Sequence, residues 1–80
     1  MNKLEQTIKV TIAGMDFRVK SNSDNHAERI RDVAKYVDEK FQETKKEHPS
    51  FSSIDITTLV AMNICEELFT EKAKHELQRQ

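Results

Sequence analysis

The residues of this 80-residue chain that could do chemistry are few. His26, His48 and His75 are 22 and 27 residues apart. None of them has a cysteine or a second histidine at the i+3 or i+4 spacing with which a helix presents two metal ligands. Glu66 and Glu67 are consecutive, so on a helix their side chains diverge by about 100° and do not form a carboxylate pair. The pattern predicts no metal site, no cofactor and no acid-base pair.

The single cysteine and the single glycine also point away from catalysis. Cys65 excludes an internal disulfide and fits a reducing compartment. It lies in an apolar stretch, where a small buried hydrophobic residue is expected instead of an activated nucleophile. Gly14 alone cannot build a phosphate-binding loop, which needs several glycines. We therefore expect a protein that is not an enzyme.

Length and charge limit the remaining classes. Thirteen basic and 14 acidic residues cancel to a net charge of −1, which gives no general attraction to nucleic acid or to an anionic membrane. No apolar run approaches the roughly 18 residues that span a bilayer, and the N-terminus lacks the apolar core of a signal peptide. A chain this short usually needs a partner subunit to complete its core. These features predict a cytoplasmic protein that oligomerises.

Apolar residues alternate along residues 7–21, which predicts a β-hairpin. We place its two-residue turn at Gly14 and the methionine after it, as a type II′ turn. This register sets Ile12 opposite Phe17, and all the apolar side chains of the hairpin then share one face. The opposite face is polar and carries Thr7, Lys9, Thr11, Asp16, Arg18 and Lys20.

The polar face of the hairpin is weakly basic. The same register places Lys9 opposite Lys20, with Arg18 beside them. Residues 1–21 contain four basic and two acidic side chains, whereas residues 50–80 contain three and five. A solvated face whose lysines discourage edge-to-edge aggregation explains this pattern. A basic surface held for an acidic partner explains it equally well, so both interpretations stay open.

Two helices are expected after the hairpin. The polar residues from Ser21 to Asn25 offer several possible N-caps, and Glu28, three residues after Asn25, completes a capping arrangement. They predict a capped helix over about 25–47. Pro49 ends this helix, because the residue before a proline is pushed out of the helical region. Ser52 or Ser53 then caps a second helix.

The second helix is too apolar for a single buried stripe. Its apolar residues between Ile54 and Phe69 spread over roughly 240°, whereas an amphipathic helix needs a stripe of little more than about 100°. A second copy of the chain is the simplest partner for the remaining surface, so we predict an obligate dimer. The residues expected to hold the copies together are Ile56, Val60, Ala61, Ile64, Leu68, Phe69, Ala73 and Leu77.

The predicted fold class is therefore α+β, an N-terminal hairpin followed by two helices. The head is expected to span residues 1–66, including the start of the second helix at 53–66. A helical tail follows at 67–80. Beyond Phe69 the apolar line of the tail is thin and resembles a coiled-coil seam that has barely begun.

Two segments carry a resemblance to a known family. The segments RIRDVAKYVDEKFQETKKEHPS at 29–50 and LVAMNICEELFTEKAK at 59–74, together with Gly14 in the hairpin, resemble the ZapA family of bacterial cell-division proteins. The resemblance runs from Ile8 to about Lys74. It implies a cytoplasmic, non-enzymatic accessory factor at the mid-cell division ring, which binds polymerised FtsZ and cross-links its filaments.

The resemblance also implies an assembly and a binding surface. Family members form dimers, and many pair their dimers into tetramers through a coiled coil; the short tail here supports the dimer more than the tetramer. Basic residues on the head contact FtsZ, and the matching positions are Arg18 and Lys45. Lys9 and Lys20 share the hairpin face with Arg18.

An alternative from another class stays open. A small dimeric module could lay the basic face of its hairpin on nucleic acid, or could serve as a generic dimerisation domain. The net charge of −1 argues against contacts with many phosphates. We therefore expect neither a nucleic-acid partner nor a membrane partner.

Overall fold

A computed structural model describes residues 5–79 of the chain. Its elements are, in order, β1 (Gln6–Ile12), β2 (Met15–Ser21), α1 (Asp24–Glu47) and α2 (Ser53–Arg79). The predicted α+β architecture of a hairpin followed by two helices is thus confirmed. The chain divides into two compact units, one ending at Glu43 and the other beginning at Thr44.

The predicted division into a head at 1–66 and a tail at 67–80 stays a prediction. Residues 1–4 of that head and Gln80 of that tail lie outside the described residues.

The turn of the hairpin lies one residue earlier than predicted. Ala13 and Gly14 form the turn, and both have positive φ, +56° and +77°. Two left-handed residues are the mark of a type I′ turn, whose twist matches that of the flanking strands. The Asp38 carboxylate accepts a hydrogen bond from the Ala13 N–H at 2.8 Å, and this bond stabilises the positive φ of the alanine. The predicted type II′ turn was therefore wrong.

The register of the strands changes with the turn. Val10 lies opposite Phe17 and Ile12 opposite Met15, so the predicted pairing of Ile12 with Phe17 was wrong. The predicted apolar and polar faces of the hairpin are nevertheless confirmed. Each residue is paired two positions away from its expected partner, and side chains alternate with a period of two, so every side chain stays on its predicted face.

Only half of the apolar face of the hairpin is buried. Ile8 and Val10 on β1 are 4% and 8% exposed and form a core with Ala27 and Ala34 of α1. Three residues on the same face of β2 are more exposed, at 58%, 44% and 37%: Met15, Phe17 and Val19. The first unit thus has a core that covers one strand and leaves the other uncovered.

α1 begins at a serine cap. The Ser23 Oγ accepts a hydrogen bond from the His26 N–H at 3.0 Å, and the Ser23 carbonyl accepts one from the Ala27 N–H at 2.9 Å. Ser23 is thus the member of the predicted polar cluster that caps the helix, and the capping arrangement of Asn25 with Glu28 was wrong. The earlier start places Asp24 in the first turn, where a negative charge is favourable at a helix N-terminus.

The connection between the helices follows the prediction. α1 ends at Glu47 before Pro49, and the Phe51 N–H donates to the His48 carbonyl at 3.1 Å to close a turn. The rings of His48 and Phe51 stack with centroids 4.4 Å apart. The Ser52 Oγ accepts a hydrogen bond from the Asp55 N–H at 3.1 Å, which confirms Ser52 as the cap of α2.

α2 carries apolar side chains on two sides. Ile56 and Val60 are only 2% and 4% exposed, and Ile64 is half-buried. These residues follow one another at intervals of four and form one buried side. A second set of large apolar side chains is between 64% and 77% exposed and comprises Ile54, Met62, Phe69 and Leu77. Leu68, which continues the first row four residues after Ile64, is 50% exposed. One chain therefore covers only part of the apolar surface of this helix.

Candidate functional site

The polar face of the hairpin brings three exposed cations together. Lys9 lies directly opposite Arg18, and Lys20 lies opposite Thr7. The predicted pairing of Lys9 with Lys20 was wrong, because the turn begins at Ala13. Side chains directly opposite each other on one face of an antiparallel pair are close neighbours. The structure therefore places Lys9 beside Arg18, with Lys20 two residues further along β2.

Asp16 lies among these cations and neutralises part of their charge. The Thr11 hydroxyl donates a hydrogen bond to the Asp16 carboxylate at 2.7 Å, and the Lys9 Nζ lies 3.8 Å from that carboxylate. The hydrogen bond from Thr11, followed by the charge of Lys9, lowers the pKa of Asp16 below its usual value. The ionised form of Asp16 is therefore favoured, and its charge offsets part of the positive charge of this face.

Arg18 differs from the two lysines of this face. The Lys20 Nζ lies 3.8 Å from a Glu5 carboxylate oxygen, as Lys9 does from Asp16. Arg18 forms no ion pair within residues 5–79. Arg18 is exposed, and its guanidinium can donate two parallel hydrogen bonds to an external carboxylate.

Lys45 is positioned by the end of α1. It is exposed and lies in the last turn of the helix, together with Lys46. Cations there are favoured because the helix C-terminus carries a partial negative charge. Lys45 belongs to the second compact unit and Arg18 to the first.

A groove that the sequence analysis did not predict lies between the hairpin and α1. Its volume is about 320 Å³. Two polar residues, His26 and Arg29, line it, and none of its lining residues within the described chain is acidic. The remaining lining residues are apolar: Val10, Ile12, Val19, Ile30, Val33 and Ala34.

No pattern in the sequence signals this groove, but the exposure of Val33, one of its lining residues, marks it in the structure. Val33 is 56% exposed and Tyr36, one turn later, is 43% exposed, with the Lys40 ammonium 5.4 Å from the centre of its ring. These residues lie beside the buried stripe of α1 and extend its apolar surface.

Other kinds of site find no support in the described part of the chain. Residues 5–79 contain no group of three or more histidine, cysteine or acidic side chains that could hold a metal ion. None of the helices among them is long and apolar enough to cross a membrane. Cys65 is exposed, so the expectation that it is buried was wrong.

The described chain is a small α+β protein with a basic hairpin face and a second helix that exposes apolar side chains. The family model described as "Cell division protein ZapA" matches residues 8–80. The Cell division protein ZapA of Shouchella clausii (strain KSM-K16) is 31% identical over 75 residues, which cover 94% of this chain and 91% of that protein. No solved structure matches the chain.

The chain therefore belongs to the ZapA family of cell-division proteins. This family is not a known enzyme family. Nothing in the comparisons favours the alternative of a nucleic-acid-binding or generic dimerisation module.

Proposed function

We propose that this protein binds FtsZ filaments in the cytoplasm at the mid-cell division site and cross-links them as a homodimer. The binding and bundling of FtsZ are the known role of the ZapA family. The observation that supports cross-linking is the exposed apolar side of α2, where Phe69 is 68% exposed in a single chain. A second copy would cover that side and give the assembly two filament-binding surfaces.

The exposed side of α2 is a large apolar surface for so small a chain. Removing apolar surface from water is worth about 25 cal/mol per Å², so pairing two such helices would stabilise a dimer. Ile56 and Val60 are already buried in one chain, so their contribution to dimerisation would be indirect. The members of the predicted interface that are exposed are Ala61, Leu68, Phe69, Ala73 and Leu77.

Symmetry turns a dimer into a cross-linker. A two-fold dimer presents each surface twice, and a filament presents the same subunit repeatedly. Once one copy is bound, the other faces neighbouring sites at high effective concentration, and avidity can exceed single-site affinity by roughly 10² to 10⁴. Two modest contacts would then hold filaments side by side.

We propose the basic face of the hairpin as the filament contact, with Arg18 as its centre. Lys9 and Lys20 each lie 3.8 Å from a carboxylate of their own chain, whereas Arg18 has none at that distance within residues 5–79. Lys45, the other position that the family implies, would add a second cation. Contacts of this kind weaken with salt, because exposed charges more than about 8 Å apart are largely screened at physiological ionic strength.

Charge reversal at Arg18 tests this contact. Arg18→Glu should strongly reduce the amount of protein that sediments with polymerised FtsZ at low salt, because an attraction becomes a repulsion. Lys45→Glu should have the same effect to a smaller degree. Arg31→Glu is the matched control, since Arg31 is also exposed and the change in charge is identical. Unchanged sedimentation of Arg18→Glu would contradict the proposed contact.

A further inference from the structure

The turn of the hairpin contains an alanine in a conformation that alanine rarely adopts. The φ of Ala13, +56°, lies in the left-handed region, where the Cβ atom of any residue other than glycine is crowded. Gly14, the next residue, has a φ of +77° and adopts it without that cost. The hairpin therefore needs an interaction beyond its own turn residues to keep Ala13 in this conformation.

That interaction comes from α1. The partly buried Asp38 carboxylate accepts a hydrogen bond from the Ala13 N–H at 2.8 Å, and the two residues are 25 positions apart in the chain. The bond thus joins the tip of the hairpin to the helix. Hydrogen bonds with a charged acceptor are roughly twice as strong as those between neutral groups. The bond therefore offsets the cost of the left-handed alanine.

A second register is open to the same two strands. If β1 slid by two residues along β2, Gly14 and Met15 would form a type II′ turn, in which only the glycine needs a positive φ. Every side chain would stay on its own face, because the slip equals the period of the strand. Val10 and Ile12 would then take the places of Ile8 and Val10 in the core, so the core would stay apolar.

The connections of the strands allow β1 to move. Only two residues, 22–23, separate β2 from α1, so β2 is closely tied to the helix. Within the described chain β1 follows Glu5 alone, and no helix or strand precedes it. A slip would therefore move β1 and leave β2 and α1 where they are.

The two registers differ on the polar face. In the structure Lys9 lies opposite Arg18, and Thr11 lies opposite Asp16. After the slip Lys9 would lie opposite Lys20, and Arg18 would lie opposite Thr11. The hydrogen bond from Thr11 to Asp16 and the ion pair of Lys9 with Asp16 would lose their geometry. The register thus decides which charges of the basic face are neighbours.

We propose that Asp38 is a positioning residue, whose hydrogen bond to Ala13 selects the register of the hairpin and so fixes the arrangement of its cations toward FtsZ. Asp38 acts through Ala13 and does not touch the filament itself. Only the last step rests on the proposed function, because the register can be measured without FtsZ.

Nuclear Overhauser effects between the strands measure the register. Residues directly opposite each other have Cα atoms about 4.5–5.5 Å apart, so their backbone protons give cross-strand signals. The natural chain should show signals between Lys9 and Arg18. Asp38→Ala should replace them with signals between Lys9 and Lys20, and should lose most of its sedimentation with polymerised FtsZ at low salt. Asp32→Ala, the same substitution at an exposed position of α1, is the matched control and should change neither.

Two further variants separate the hydrogen bond from other effects of replacing Asp38. Asp38→Asn keeps a side-chain oxygen that can accept the Ala13 N–H, so it should keep the natural register. Adding Ala13→Gly to Asp38→Ala removes the crowding at the positive φ and should restore both the signals between Lys9 and Arg18 and the sedimentation. A general loss of structure in α1 would not be reversed by a glycine at the tip of the hairpin.

Three results would overturn the proposal. Signals between Lys9 and Arg18 that persist in Asp38→Ala would show that the register does not depend on Asp38, and would leave the proposed function standing. Loss of all cross-strand signals would mean that Asp38 holds the hairpin together and does not select its register. A changed register with unchanged sedimentation would show that the filament does not sense the arrangement of the cations, and would also count against the proposed contact at Arg18.

Discussion

The two helices have similar lengths, 24 residues for α1 and 27 for α2, but they distribute their apolar side chains differently. The buried residues of α1 follow a single stripe, from Ala27 through Ala34 to Phe41. α2 has one buried side, which contains Ile56, and an exposed apolar side, which contains Phe69. α1 therefore buries most of its apolar side chains within one chain, whereas α2 leaves several large apolar side chains exposed.

α1 also exposes some apolar surface. Val33 and Tyr36 are exposed beside its buried stripe, and Val33 lines the same groove as Val19 of β2. Surface that a single chain leaves uncovered thus occurs in both units. Substitutions on the buried and exposed sides of α2 should therefore affect different properties, the stability of the fold on one side and assembly on the other.

The largest effect is expected on the buried side of α2. Ile56→Ala should lower the free energy of unfolding by about 2–5 kcal/mol, because it removes buried atoms and leaves a cavity. Ile56 is only 2% exposed. Urea denaturation, followed by circular dichroism at a fixed protein concentration, would measure the loss.

Ile54→Ala is the matched control, since the same atoms are removed two residues earlier, where the side chain is 77% exposed. A much smaller loss is expected there when the protein is dilute enough to be monomeric, because the proposed second copy would cover Ile54 in the dimer. Equal losses at the two positions would mean that both sides of α2 are covered to the same extent, and the contrast between them would disappear.

An intermediate effect is expected on the exposed side. Phe69→Ala should shift the protein from dimer to monomer in light scattering, with little change in helix content. Burying a phenylalanine is worth about 1.5–3 kcal/mol, and 1.4 kcal/mol is a tenfold change in Kd. The Kd of the dimer should therefore rise at least about tenfold. Sedimentation with FtsZ should weaken, and bundles should be lost in electron micrographs.

Phe51→Ala is the control for this variant, because Phe51 is also exposed but lies in the turn before α2. Its dimeric mass should be unchanged. A Phe69→Ala protein that stays dimeric at low concentration would show that the exposed side of α2 does not join the copies.

Features set by neighbouring residues could be predicted from the sequence. Pro49 and Ser52 defined the connection between the helices, and the alternation of apolar residues defined the two faces of the hairpin. The turn could not be predicted, because nothing near Ala13 signals its positive φ. The carboxylate that accepts the Ala13 N–H belongs to Asp38, 25 residues away.

Packing explains the other differences. The basic face was predicted with the right members, but which cation lies opposite which depended on the turn. The groove beside Val33 was missed, because a period of two on the strands does not reveal which strand α1 covers. Several residues of the polar cluster could cap a helix, so the sequence does not decide between Ser23 and Asn25. The tertiary structure selects Ser23.

The smallest loss of stability is expected at the N-terminal caps of the two helices. Here α1 and α2 should behave alike. Ser23 and Ser52 each accept a hydrogen bond from the backbone N–H three residues later, at 3.0 and 3.1 Å. Replacing either with alanine should lower the free energy of unfolding by about 1 kcal/mol. Thermal denaturation would measure both losses. The two losses should be alike, because the helices differ in the burial of their apolar side chains but have the same kind of N-terminal cap.

Ser53→Ala is the control for the cap of α2. Ser53 is the first residue of the helix, and its backbone carbonyl accepts a hydrogen bond from the Thr57 hydroxyl at 2.8 Å, a bond that alanine preserves. Its loss should be within about 0.5 kcal/mol, as for other exposed surface positions. If Ser53→Ala proved as costly as Ser52→Ala, the hydrogen bond from Asp55 would not be what stabilises the start of α2.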